Sequence, residues 1–138
     1  MTSLHYTTDP APAGDIIVRP THYSSAVELP GGIIKVSGQG SWDANGNLND
    51  VATDEAAQVA RAFENIDRVL KAAGSRGWAD VYAVRAYAVN PDTGFPPMVE
   101  QLKKWSPDHR PVLTAIGVGA LFVPEMKVEI EVEALKVE

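Results

Sequence analysis

The sequence predicts an α/β fold: a mixed sheet of about five strands with two helices on one face. Three observations carry that prediction. From Met126 to Val137 the chain alternates, with Met126, Val128, Ile130, Val132 and Ala134 facing one way and Lys127, Glu129, Glu131 and Glu133 the other, as a half-buried strand requires. From Thr53 to Ala73, Ala56, Val59, Phe63, Ile66, Leu70 and Ala73 recur at steps of three and four, which makes one apolar helical stripe. From Val112 to Val123 the chain is apolar on both parities, a pattern normally buried on both sides of a sheet.

In chain order, residues 1–15 hold Pro10, Pro12 and Gly14 and few large apolar groups, so a flexible or draped arm is expected. Tyr23 to Leu29 and Ile33 to Val36 flank Pro30-Gly31-Gly32, the signal of a hairpin. The second of these strands runs into Ser37-Gly38-Gln39-Gly40, and Asn45-Gly46 turns the loop that follows. Thr53 is expected to cap the first helix, with Asp54 and Glu55 in its first turn, Lys71 in its last and Gly74 just past its end. Asp80 to Val89 reads as a strand and Asn90-Pro91-Asp92-Thr93-Gly94 as its breaker. A second helix follows over Pro97–Trp105, with Met98, Leu102 and Trp105 as its stripe, and Ser106-Pro107-Asp108 ends it. The order is β-β-α-β-α-β-β in a single domain, 1–138. Two helices cover one face of the sheet, which leaves Leu113, Ala115, Ile33 and Val89 on the other. An apolar patch of that kind marks an interface, and self-association is the simplest way to bury it.

Composition narrows the function. The 138 residues are 45% hydrophobic and 22% charged, ordinary for a globular protein. Twelve Lys and Arg against eighteen Asp and Glu give a net charge of −6, which argues against a phosphate-backbone partner. The absence of cysteine removes disulfides, thiolate metal sites and cysteine nucleophiles. His5, His22 and His109 are scattered, so no metal-ligand spacing exists. Residues 1–15 show no secretory pattern and no apolar run reaches membrane-spanning length. The expectation is a cytoplasmic protein without membrane contact; an organelle address stays open.

Several residues stand out as candidates. Glu129 is either one rung of a solvated acidic ladder with Glu131 and Glu133, about 6.6 Å apart along the strand, or a cleft carboxylate able to act as general acid or base. Tyr23 either packs its ring on the sheet or orients a polar group with its hydroxyl. Ser37 and Gly38 end a strand where backbone approaches closely and where backbone N–H groups could hold an anion. Trp42, in a loop, could wall a cleft as an exposed indole, whereas Trp105 belongs to the core stripe. Arg110 precedes a strand and could reach an anion. Gln58 and Asn65 read as polar supports at the edge of the first helix.

Together Ser37-Gly38-Gln39, Gln58, Asn65-Ile66, Leu70, Ala73-Gly74 and Lys127-Val128-Glu129-Ile130-Glu131 resemble, in order and spacing, the YjgF/Rid family of enamine and imine deaminases. The resemblance covers about Tyr23 to Leu135. It implies a chorismate-mutase-like fold, a homotrimer built around a central barrel, three small-molecule clefts between subunits and no cofactor. It implies a cleft tyrosine at Tyr23, a Ser-Gly pair at Ser37 and Gly38, and a glutamate at Glu129 that positions water or moves protons. The family's cleft asparagine falls on Val99. Its carboxylate-clamping arginine falls on Leu113, within Arg110-Pro111-Val112-Leu113-Thr114. Leucine offers no donor, so the bidentate clamp on a 2-imino acid is missing and a non-standard substrate is expected, with Arg110 as a replacement anion contact. A non-catalytic ligand-binding trimer is the alternative, and ribonuclease activity a weaker one.

Overall fold

The computed structural model describes residues 3–137. Six strands, β1 (His5–Thr7), β2 (Ala26–Glu28), β3 (Ile33–Gln39), β4 (Val81–Ala88), β5 (Val112–Gly117) and β6 (Val128–Leu135), form one sheet in the order β1-β2-β3-β6-β4-β5. All neighbours are antiparallel except β4 and β5, which are parallel. The two helices, α1 (Glu55–Ala72) and α2 (Pro91–Trp105), pack on one face.

The core lies between sheet and helices. Ile34 and Val36 of β3, Val84, Ala86 and Ala88 of β4, and Val128, Ile130, Val132 and Ala134 of β6 meet Val59, Ala62, Phe63, Ile66, Val69 and Leu70 of α1. Phe63 stacks on Trp78 with ring centroids 4.4 Å apart, and the Trp78 indole N–H donates to the Phe63 carbonyl. The alternation of β6 follows the sequence: its apolar residues are buried, and Glu129, Glu131 and Glu133 turn to the open face.

On that open face the carboxylates of Glu131 and Glu133 are paired. Tyr87 donates a hydrogen bond to Glu131, Tyr82 donates to Glu133 at 2.9 Å, and Arg85 reaches both carboxylates. Hydrogen bonding to Glu131 is the first reason the Tyr87 hydroxyl is held above its ordinary pKa, and burial the second.

The structure corrects several expectations. Residues 3–15 are laid down on the fold: β1 pairs with β2, Asp9 is buried, and its carboxylate receives two hydrogen bonds from Arg68 at 2.9 and 2.8 Å. A short arm with few large apolar groups, Leu4 and Tyr6 both exposed, is held by that polar anchor, which hydrophobic patterning cannot reveal. Tyr23 lies in the loop before β2, not in a strand. Asp54, not Thr53, caps α1, accepting from the Ala57 N–H at 3.0 Å. The segment read as a breaker is the first turn of α2, with Pro91 at the helix start, where its missing N–H costs nothing. Glu55 of α1 ties this turn by accepting from Asn90 and Thr93, so Pro96 and Pro97 are carried inside the helix.

The two terminal strands are not neighbours. β6 is central, between β3 and β4, and β5 is an edge. All six residues of β5 are exposed. Its register pairs Leu113 with Val84 and Ala115 with Ala86, so both lie on the helix side of the sheet. Val112, Thr114 and Ile116 hold the open face instead, opposite Ala83, Arg85 and Tyr87.

Candidate functional site

At the end of β3 the pairing with β6 slips. Val36 faces Val132 and Gln39 faces Ile130, so three steps on β3 match two on β6. This bulge, at Ser37 and Gly38, re-aims the strand as bulges do. It brings Gly38 against Glu129 so closely that a Cβ at position 38 would sit 2.8 Å from both Cδ and Oε2 of the glutamate. Ser37 is fixed by its hydroxyl, which donates to the Ser24 carbonyl at 2.7 Å, and by its N–H, which donates to the Ser25 carbonyl.

Beside this bulge is a hollow of about 450 Å³, lined by Ile17, Thr21, Tyr23, Ser37, Gly38, Trp42, Leu48, Phe122, Val123, Met126 and Glu129. Tyr23, Ser37, Gly38, Trp42 and Glu129 therefore share one cavity, although they come from the loop before β2, the β3 bulge, the loop after it, and β6. Trp42 is buried rather than exposed, and its indole N–H has no hydrogen-bond partner among the described residues. Gly40 makes room for it: a side chain there would strike both Met126 and Trp42.

The polar edge of α1 holds two walls of the hollow in place. Asn65 donates to the carbonyls of Gly40 and Trp42 at 3.1 and 2.8 Å and accepts from Arg68. Gln58, fully buried, donates to the Glu125 carbonyl at 2.9 Å and accepts the Lys127 N–H at 2.8 Å, which brackets Met126. Both residues act as the sequence suggested, as supports. Ile17, Thr21, Leu48, Phe122 and Val123 were not among the expected site residues, because they come from irregular segments whose apolar positions show no period.

Among the described residues, Glu129 has no hydrogen-bonded or ion-paired partner, unlike Glu131 and Glu133. Burial raises its carboxyl above the ordinary glutamate pKa, and the charge of Glu131 raises it further. Tyr23 is raised as well, by burial first, then by the charges of Glu129 and Asp9. A half-buried carboxyl whose pKa is raised by burial holds its proton more readily than an exposed one, which suits a general acid–base group.

The remaining candidates lie elsewhere on the single chain. Val99 borders a separate hollow of about 510 Å³ with Pro91, Asp92, Phe95, Pro96 and Glu100. Leu113 is half-exposed on the edge strand β5, and Arg110 is exposed just before it. His109 bonds the Val81 carbonyl at 2.7 Å and so serves the fold. No group of three or more His, Asp or Glu able to hold a metal occurs among the described residues.

Comparison with known proteins gives the family. The family model described as Endoribonuclease L-PSP matches residues 16–136, and the chain belongs to that family. Among solved structures, Rv2704 of Mycobacterium tuberculosis, a member of the YjgF/YER057c/UK114 family, is 26% identical over 96% of this chain and 99% of its own, with a TM-score of 0.74. NMB1025 of Neisseria meningitidis, a member of the YjgF family, is 27% identical over 99% and 97%, with a TM-score of 0.72. A Thermotoga maritima protein bearing a provisional endoribonuclease name is 31% identical over 84% and 87%, with a TM-score of 0.73. No curated protein matches the chain. Among the described residues, no helix is long and apolar enough to cross a membrane.

Proposed function

We propose that this protein is a cofactor-free hydrolytic deaminase of a small imine or enamine, working as a homotrimer. In the trimer, the β5 edge of one copy would cover the hollow of the next and bring Val99 and Leu113 to the Tyr23–Glu129 group. The observation that carries the reading is Glu129: a half-buried carboxyl without a partner, pressed on Gly38 beside Tyr23 in a mostly apolar hollow.

With the substrate protonated as its iminium and Glu129 ionised, Glu129 takes a proton from water as the water oxygen bonds to the C=N carbon, and the π pair moves to nitrogen to leave a neutral amine. It then returns that proton to nitrogen, which makes the amine a leaving group. As the C–N bond breaks, the hydroxyl proton passes to Glu129, the carbonyl forms, and ammonia departs; Glu129 then gives that proton to the departing ammonia or to solvent, which restores its carboxylate. Tyr23 orients the attacking water. A carboxyl that is easily protonated and easily ionised suits both directions of transfer.

The test is release of ammonia and carbonyl product from imines generated in situ by amine and amino-acid oxidases. Turnover above the buffer rate for at least one imine, lost in Glu129→Gln, is expected; hydrolysis of no imine faster than buffer would sink the reading. Ribonuclease activity has less support, because the net charge of −6 disfavours a polyanion.

A further inference from the structure

We infer that the hollow selects an imine without a carboxylate, bound as its iminium cation with an aromatic or branched apolar substituent. For the reaction this rests on the imine-hydrolase reading; for the binding preference it does not.

The argument is one of charge and of free hydrogen-bonding capacity. Among the described residues of one chain, no Lys, Arg or His lines the hollow, and its one charged side chain is Glu129. A ligand carboxylate placed there would meet a like charge at close range in a poorly hydrated setting, where repulsion is strongest. A cation in the same place would supply the partner Glu129 lacks. The hydroxyl donors are largely occupied: Thr21 donates to the Ile17 and Val18 carbonyls, and Ser37 to Ser24. The indole N–H of Trp42 has no partner in this structure, but an indole, like a phenol, is no counter-ion to a carboxylate.

The remaining surface is apolar. Ile17, Leu48, Trp42, Val123 and Met126 form the walls, with Phe122, 93% exposed, among the lining residues. An apolar pocket with few oriented polar groups selects for a greasy body with one polar end. Aromatic faces add attraction for a cation. The position that the family resemblance gives to a clamping arginine holds Leu113, and Leu113 and Val99 would extend the same apolar lining across a subunit contact.

The test compares 2-phenylethylammonium with 3-phenylpropanoate, which share an apolar body and carry opposite charge, by calorimetry on the full-length protein. The cation is expected to bind at least about tenfold more tightly, with the difference lost in Glu129→Gln. Equal or tighter binding of the carboxylate, binding of neither, or a preference surviving in Glu129→Gln would overturn the inference. Anion binding abolished by Arg110→Ala would overturn it in favour of a replacement clamp. A second arm compares hydrolysis of the imines generated from 2-phenylethylamine and from phenylalanine. Faster turnover of the carboxylate-free imine is expected. Faster turnover of the imino acid would keep the deaminase reading and overturn the selectivity. Hydrolysis of neither, with the cation still preferred, would remove the deaminase reading and leave the selectivity standing.

Discussion

At position 38 any side chain would collide with the carboxylate that defines the hollow. Gly38→Ala is therefore expected to push Glu129 out of place and cut turnover by more than about tenfold, since small displacements of reacting groups are costly, while the fold survives. Activity and melting temperature measured together would show it; an alanine variant of undiminished activity would remove Gly38 from the site. Glu129 makes a second, opposite-signed prediction. Its pKa in the folded state is raised above the reference value of 4.5, so the native protein holds a proton that the unfolded chain has released. Stability then falls as pH rises from the ordinary glutamate range through the raised value. Glu129→Gln removes that penalty. It should melt higher than wild type at neutral pH, with the gap closing below about pH 4, while its turnover is abolished. A pH series of melting curves decides the matter. Glu129, Tyr23, Ser37 and Gly38 were legible as candidates from their motifs and the resemblance. That Glu129 alone of its ladder is unpaired was not, because Tyr82, Arg85 and Tyr87 reach Glu131 and Glu133 from another strand.

Among the elements, α1 carries the most of the site while contributing no lining residue. Its apolar stripe was readable because Val59, Phe63, Ile66 and Leu70 keep the helical period, and each is buried. Its polar edge does a second task, holding the loops on either side of the hollow. Gln58→Ala would leave the Glu125 carbonyl and the Lys127 N–H without their partner, at a cost of roughly 2–4 kcal/mol, and should loosen the 118–127 segment. Urea titration and amide exchange in that segment are the measurements. Arg68→Ala would strand the buried Asp9 carboxylate and cost roughly 3 kcal/mol, felt first as exchange at β1. The strands were harder to read. Alternation placed β6, but nothing local distinguishes an edge from a centre, and β5 was displaced from its expected neighbour because α2 carries the chain across to a parallel pairing with β4. The start of α2 was hidden by a proline that ends strands and begins helices equally well.

For the molecule as a whole, the proposed trimer predicts a solution mass near three times the 14.8 kDa of one chain. Ile116→Asp, on the open face of β5, should shift that mass toward a single chain by placing a desolvated charge in the contact. Sedimentation of both proteins tests it, and a wild type that sediments as one chain would end the proposal. The sheet and helices were foreseeable because burial has a period; the only trace in the sequence of the proposed assembly is a strand greasy on both sides. The bare flank of β5 has a further consequence for the protein's life before any assembly. A freshly made chain presents an extended ribbon with unpaired backbone groups and apolar side chains, the template on which stray strands dock. In the proposed trimer, copies still waiting for partners would thus be the ones most open to clumping or degradation.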